Sequence, residues 1–509
     1  MNESKYWLDQ AVAYIVEKIP TGKIITSSGI SPSAEYHIGH FREILTVEAI
    51  TWGLKEAGRD AEHIHVVDNF DPLRKRYPFL PEEFEQYVGW PVALIPDPAG
   101  DCHKTYADHF YSEFEKYIHI LGIQPTIVKS YEDLYSTGRM TDRFEDVLNH
   151  LPQIYKIFKD VSNRELDEGW TPIQVLGDDN KYFNATADSW DKKNQTIGGK
   201  SYAQGQAKLN WRLDWPARWR ELGVQVEPFG RELASAGSAY QTGVKFAKEV
   251  FGIEPPLPVA KYEPIHLPGD TKKMSSSLGN LITPKEALEI MPPELLRYFV
   301  VRSRPERKLH FDSGIALFNL LDEYSKVKES VAVGEETEFG GAFKFANTVN
   351  KIKDNEVITS VPFNHLVSVY QTVRGDADKA AEVLKRSDFV VDSSVLNREF
   401  SFVKNWLSKY APEGIKFEIQ HKLPQIDLTT EQKNFLSKLA ESLDADSLPD
   451  GPAMHKLIYA AKDEAGIETK EAFQTLYRLI LNQDYGPKAG WFLASLDQDW
   501  LIGRLNLAS

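Results

Sequence analysis

Hydrophobic positions in the first quarter of the chain alternate between short β-branched runs and longer stripes at helical spacing. Trp7, Leu8, Val12, Ile15 and Ile19 predict an amphipathic helix within residues 1–20. Lys23-Ile24-Ile25-Thr26 then predicts a buried strand, residues 38–57 a helix stopped by Gly58, and Ile64 to Val67 a second strand. In that helix Phe41, Ile44, Leu45, Val47, Ile50, Trp52 and Leu54 occupy more than one face, so other parts of the domain should cover it. A helix carrying Tyr106, Phe110, Phe114 and Tyr117 leads to a strand at 126–129. The strand–helix–strand order defines an α/β class, with ligands expected past the carboxyl ends of parallel strands.

Further along, the pattern changes twice. Residues 131–165 read as helical and 170–210 as polar and irregular, and together they form an insertion between two halves of the sheet. Trp215 and Trp219, four apart, share one face of a helix, and strands are expected at 224–229 and 259–262. Thr283-Pro284-Lys285-Glu286 is a capping box that opens a helical region. The Gly/Glu-rich run 333–341 is the best linker, and beyond it come amphipathic helices, among them 361–373, 395–410, 429–443 and 470–482.

A chain of 509 residues has room for two to four domains. Its net charge of −15 argues against indiscriminate binding to nucleic acid, while leaving room for a specific RNA docked on a local basic patch. Cys102 is the single cysteine, which excludes an intrachain disulfide and a thiolate cluster and fits a reducing cytoplasm. No run of eighteen apolar residues occurs, and Glu3, Asp9 and Glu17 make the beginning unlike a signal peptide, so no membrane partner is expected.

Two stretches carry the chemistry. Gly29-Ile-Ser-Pro-Ser-Ala-Glu-Tyr-His37-Ile-Gly-His40 lies where the first strand gives way to its helix, and a helix N-terminus there offers unpaired N–H groups to anions. His37 and His40 would point the same way and donate to phosphate oxygens, while Gly39 lets a base or ribose approach the backbone. Alone, such a pair is more often two ordinary loop histidines. The second stretch, Lys272-Lys273-Met274-Ser275-Ser276-Ser277-Leu278-Gly279-Asn280, sets two lysines and three hydroxyls on a loop suited to a triphosphate. Gly198-Gly-Lys200-Ser201 is a decoy, because a phosphate-binding P-loop needs glycine where Asn194 stands. Asp68, at a strand's carboxyl end, suits a substrate ammonium group or the capping of its own turn.

In this order the two stretches resemble the HIGH and KMSKS signatures of class I aminoacyl-tRNA synthetases, the first letter for letter and the second as KMSSS. The strings DPLRK, FLPEEFE, IPDP and CH-x-x-YA-x-HF between residues 71 and 110 closely resemble the archaeal-type class I lysyl-tRNA synthetases. The resemblance implies ATP-dependent activation of L-lysine to lysyl-adenylate and its transfer to tRNA(Lys). It also implies a Rossmann-like doubly wound catalytic domain with an inserted connective region, followed by an all-α anticodon-binding region. The boundaries expected on this basis are 1–130 and 211–282 for the catalytic halves, 131–210 for the insertion, 283–340 for stem contact and 341–509 for the anticodon.

The family's roles carry over to matching positions. ATP would lie against Pro32, His37, Gly39, His40, Lys272, Lys273, Met274, Ser275 and Ser276, with His37, His40 and Lys273 catalytic and Mg²⁺ held by the phosphates. Lysine would lie among Gly29, Ser31, Asp68, Asp214, Trp215, Trp219 and Tyr240, the last residues drawn from a DWPARW element and the stretch after it. Trp491, Trp500 and Arg504 would meet unpaired anticodon bases. Four departures stand out: Leu233 replaces a usual histidine, Ser276 and Leu278 replace usual lysines, and residues 174–208 lack the cysteines of the family's zinc knuckle. No structural zinc and no protein metal ligand are therefore expected, in a monomeric cytoplasmic protein. The alternatives are a class I synthetase of other amino-acid specificity, a catalytically impaired tRNA-binding paralogue, or a small nucleotidylyltransferase on the same fold.

Overall fold

A computed structural model describes residues 6–235, 237–268, 281–349, 358–443 and 449–508, which divide between two compact units. The first unit takes the described residues within 1–287, 296–311 and 341–352, and the second takes the rest. Lys272, Lys273, Met274, Ser275 and Ser276 lie outside the described residues.

The first unit is built on a parallel sheet of β1 (Ile24–Ile30), β2 (Ala61–Val67) and β3 (Thr126–Lys129), in the order β1-β2-β3. Ile24 stands opposite Ala61 and Ile64 opposite Thr126. Beyond the free edge of β1, Val226 bridges Thr26 in parallel and Leu257 bridges Val226. This continues the sheet in the second half of a Rossmann-like, doubly wound arrangement. The strands expected at 224–229 and 259–262 are reduced to these bridges and to a two-residue pair, β9 (Phe229–Gly230) with β10 (Lys261–Tyr262). Pro228, Pro255, Pro256 and Pro258 explain the difference, since proline offers no N–H to a ladder.

Helix α1 (Trp7–Lys18) covers α2 (Phe41–Glu56) where α2 lacks a side chain. A Cβ on Gly53 would come within 2.8 Å of Val12, so the close approach depends on that glycine. Arg42, buried in the first turn of α2, donates to the carbonyls of Val300, Arg304, Pro305, Arg307 and Glu263. It ties the helix to the segment 296–311, and its burial pulls the guanidinium down to about 10. α3 (Tyr106–Ile120), capped by Thr105, leads into β3.

The stretch 170–210 is ordered, which corrects the irregular reading. β4 (Trp170–Leu176) pairs antiparallel with β5 (Tyr182–Thr186) and β8 (Ala207–Leu209), and a hairpin of β6 (Thr196–Ile197) and β7 (Lys200–Ser201) lies between them. Ile173, Val175 and Leu209 share one core with Ile64, Val66 and Val128 of the parallel sheet and with Ile157 and Phe158 of α5 (Leu151–Ser162). The insertion is thus continuous with the nucleotide fold. It ends at α6 (Trp211–Leu222), capped by the Asn210 side chain.

The second unit is helical, and its helices fall where the periodicity puts them: Phe363–Val373, Ser393–Lys409, Thr430–Ser442 and Thr469–Leu481 among others. Phe435, Leu439, Met454, Ile458, Leu476 and Leu501 belong to its distal core. Among the described residues no helix is long and apolar enough to cross a membrane.

Candidate functional site

Two cavities open at the carboxyl ends of β1 and β2 and share a wall made of Gly29, Ile30, Ser31, Glu43 and Tyr262. The first, about 360 Å³, is lined by His37, Gly39 and His40 together with Tyr36, His65 and Glu232. Residues 38–40 form a single 3₁₀ turn ahead of α2, and in that geometry positions three apart eclipse. The rings of His37 and His40 accordingly stack with centroids 4.1 Å apart. Gly39 N–H donates to His37 Nδ1 at 3.1 Å, which places the proton of the neutral ring on Nε2. Pro32 is buried and does not line this cavity, although its neighbours Ser31 and Ser33 do.

The second cavity, about 290 Å³, is lined by Gly29, Ser31, Asp68, Trp215, Trp219, Phe229 and Leu233, as well as two acids that sequence reasoning missed, Glu43 and Glu227. Glu43 lies one turn beyond His40, where it accepts the Gly29 N–H at 2.7 Å and the Tyr262 hydroxyl. Glu227 accepts both indole N–H groups on one oxygen, Trp215 at 2.9 Å and Trp219 more closely. Burial raises both carboxyls to about 7 against these hydrogen bonds. A carboxylate held in this way gains most from the arrival of a cation.

Asp68, which lines the cavity, and Asp214, which does not, are in the opposite condition: both are already met by cations. Lys208 of β8 lies 3.2 Å from Asp68, 3.1 Å from Asp71 and 3.6 Å from Asp214. Arg218 of α6 lies 3.1 Å from Asp68 and 3.5 Å from Asp214, and Tyr135 donates to Asp214 at 2.5 Å. Burial opposes ionisation of Asp68, but the two cations outweigh it and hold the carboxyl down to about 2. These acids are neutralised internally and brace the floor of the cavity. Asp71, less well matched, is raised by burial and by Asp68, and it too lines the cavity. Tyr240 stacks on Phe229 at 4.3 Å and does not itself line the cavity. Leu233 adds apolar wall.

A third cluster lies in the loop before α3. One ligand atom each from Asp97, Cys102, His103 and His109 falls within 4.8 Å of the others. Ser112 Oγ stands 2.8 Å from His103 Nε2 and leaves Nδ1 facing the group, as an outer-shell partner orients a metal-binding imidazole. One thiolate, two imidazoles and a carboxylate are donors suited to tetrahedral zinc. The expectation of a chain without metal ligands rests on the missing knuckle cysteines and overlooks this mixed set. Tyr106, in the first turn of α3, donates to the Ser33 carbonyl at 2.6 Å and so connects the cluster to the loop that carries His37.

In the second unit Arg504 is buried, donates to the carbonyls of Gln420, His421 and Lys422, and lies 4.8 Å over Trp500. It clamps its own domain, which corrects its assignment to RNA, and Trp500 serves largely as its platform. Trp491 instead borders a cavity.

The profile of the family described as tRNA synthetases class I (K) matches residues 5–350. The chain belongs to this family of class I tRNA synthetases. It is 38% identical over 514 aligned residues to the lysine–tRNA ligase of Archaeoglobus fulgidus, covering 99% of this chain and 100% of the relative. It is 35% identical to lysine–tRNA ligase 1 of Methanosarcina acetivorans (99% and 98% covered) and 31% identical to the lysine–tRNA ligase of Pyrococcus horikoshii (99% of each). Among solved structures, a glutamate–tRNA ligase from Elizabethkingia meningosepticum aligns over 96% of this chain and 99% of its own at 13% identity and a TM-score of 0.42, too distant to carry weight.

Proposed function

We propose that this chain is a lysine–tRNA ligase, which joins L-lysine to ATP as lysyl-adenylate and then transfers it to tRNA(Lys). The observation that carries the reading is the pair Glu43 and Glu227, two carboxylates awaiting cations on either side of an aromatic wall. Lysine has two ammonium groups joined by an apolar stem. Its stem fits along Trp215 and Phe229, with the distal ammonium on Glu227 and the α-ammonium on Glu43. Because Glu43 belongs to both cavities, this pose turns the lysine carboxylate toward His37 and His40. An acidic amino acid would meet like charge at both ends.

The reaction then needs no protein nucleophile. A carboxylate oxygen of lysine attacks the α-phosphorus of ATP and pyrophosphate leaves; the terminal ribose hydroxyl of tRNA next attacks the activated carbonyl and AMP leaves. Holding the reactants in line, and donating to phosphate oxygens as charge develops, is what the stacked histidines are placed to do. Mg²⁺ bound with the phosphates would offset their charge, and Lys273 is assigned to the leaving pyrophosphate from its sequence alone. The loop cluster Asp97, Cys102, His103 and His109 is assigned a structural zinc that pins the start of α3, and through Tyr106 the His37 loop, with no step in the reaction. Pyrophosphate exchange measured with each of the twenty amino acids tests the main reading. Lysine alone should support it; exchange led by another amino acid, or by none, would overturn it.

A further inference from the structure

The parallel sheet carries polar side chains on a buried face: Ser28 stands opposite His65 across β1 and β2, and Thr26 opposite His63. Three of them join Glu48 of α2 in one chain. His63 Nδ1 lies 2.8 Å from Glu48 Oε2, Ser28 Oγ lies 2.8 Å from His63 Nε2, and His65 Nδ1 lies 2.7 Å from Ser28 Oγ. Glu48, His63 and Ser28 have the order of a hydrolase triad, but Ser28 is fully buried, lines neither cavity and shares its oxygen between two imidazoles. It passes a hydrogen bond on and attacks nothing.

The chain has a direction. Burial opposes the charge on Glu48, but the His63 hydrogen bond, with Arg297 and Lys55 nearby, holds its carboxyl below the usual range, so Glu48 accepts. With one proton on His63, Nδ1 carries it, Nε2 accepts the Ser28 hydroxyl, and Ser28 Oγ accepts from His65 Nδ1. Burial, and then His63, pull the His65 imidazole down to about 3, so it is neutral near pH 7 and its Nε2 is a bare acceptor. Among the described residues nothing donates to that nitrogen.

His65, 1% exposed, and Tyr36, 5% exposed, both line the cavity of His37 and His40, and the Tyr36 hydroxyl also lacks a partner among the described residues. The Tyr36 ring meets His40 edge-on at 5.1 Å, and Tyr36 and His65 both lie against Phe114, at 4.5 and 6.3 Å. Two unmet polar atoms in one cavity wall call for a ligand that supplies their hydrogen bonds. ATP has few groups of the right kind: its phosphates and ring nitrogens only accept, while its 6-amino group and two ribose hydroxyls donate. We infer that His65 is a specificity-determining residue for the nucleotide: its Nε2, held as an acceptor by the chain through Ser28 and His63 to Glu48, takes a hydrogen from the adenosine half of ATP beside the Tyr36 hydroxyl. The inference rests on the proposed function for the identity of the nucleotide.

Two measurements on the full chain test it. Nitrogen NMR of protein labelled at histidine should find His65 Nε2 without a proton in the free wild type, and its signal should move when ATP is added. A proton on Nε2, or a signal indifferent to saturating ATP, would overturn the assignment. The second measurement is calorimetric binding of ATP, 2′-deoxy-ATP, 3′-deoxy-ATP and purine riboside triphosphate, which lacks the 6-amino group. One analogue should bind the wild type about tenfold more weakly than ATP, and the analogue that does so identifies the donor. His65→Phe keeps a flat ring against Tyr111 and Phe114; it should weaken ATP to a similar degree and leave that one analogue unchanged, a coupling that a merely structural role does not produce. Equal weakening of every nucleotide in a variant shown by thermal melting to be folded, or a wild type indifferent to all three analogues, would refute it, and the wild-type measurements decide the matter if the variant fails to fold. Lysine-dependent exchange by the wild type tests the functional reading alone: its absence would remove that reading while nucleotide binding still decides the role of His65.

Discussion

Glu227→Gln isolates the proposed recognition of lysine's distal ammonium group. The amide keeps an oxygen to accept from Trp215 and Trp219, so the wall stays in place while the charge is lost. A pair of unit charges about 4 Å apart gains about 4 kcal/mol at an effective dielectric near 20. Stripping water from the ammonium takes back part of this and leaves about 2 to 3 kcal/mol, or about 30- to 150-fold in lysine affinity. ATP is assigned to the other cavity by the proposal, so its KM should stay within about twofold.

The pH dependence follows from the same carboxyl. Raised to about 7 in the empty site, it must give up its proton before a cation can bind, so the wild-type KM for lysine should rise as pH falls through 7. Glu227→Gln should flatten that slope, and Glu43, raised to about 7 as well, should account for what remains. The assay is steady-state pyrophosphate exchange with lysine and ATP varied separately between about pH 6 and 8.5. A lysine KM within threefold of wild type, or an equal rise in both KM values, would show that Glu227 does not hold the ammonium.

His40→Ala should leave lysine affinity within about threefold and lower adenylate formation by roughly 100-fold, seen in single-turnover exchange, because its part lies in the charge that develops at phosphorus. Lys208→Met should cost about 3 to 5 kcal/mol of stability in chemical denaturation, since Asp68, Asp71 and Asp214 would keep only Arg218. Elemental analysis of the purified protein should find one zinc per chain, lost in Cys102→Ala with His109→Ala and accompanied by a lower melting temperature; full metal content in that double variant would remove the cluster from consideration.

Helical periodicity alone placed the helices of the second unit, because residues such as Phe435, Leu436 and Leu439 repeat at 3.6 without interruption. The strand β8 escaped because three residues are too few to display alternation, and its role depends on pairing with β4. His37 and His40 were legible because one short string holds both. Glu43 and Glu227 were not, because each is defined by donors on other elements that only the fold brings to it: the N–H of Gly29 at the end of β1, the hydroxyl of Tyr262 and two indoles of α6. Nor does the order of residues tell which acids Lys208 and Arg218 will neutralise. Asp68 and Asp214 sit at the positions expected of substrate ligands and turn out to be occupied. Asp97, Cys102, His103 and His109 lie within or beside the family-like strings, but with a single thiol among them they do not stand out in the sequence as a ligand set.

Lys208 also bears on how this enzyme can be re-engineered. It projects from the small antiparallel sheet into acids contributed by the end of β2 and by α6, so that sheet cannot be exchanged as a self-contained cassette. A chimera that imports the corresponding segment from a relative must bring a cation at the same register, or replace all three aspartates along with it.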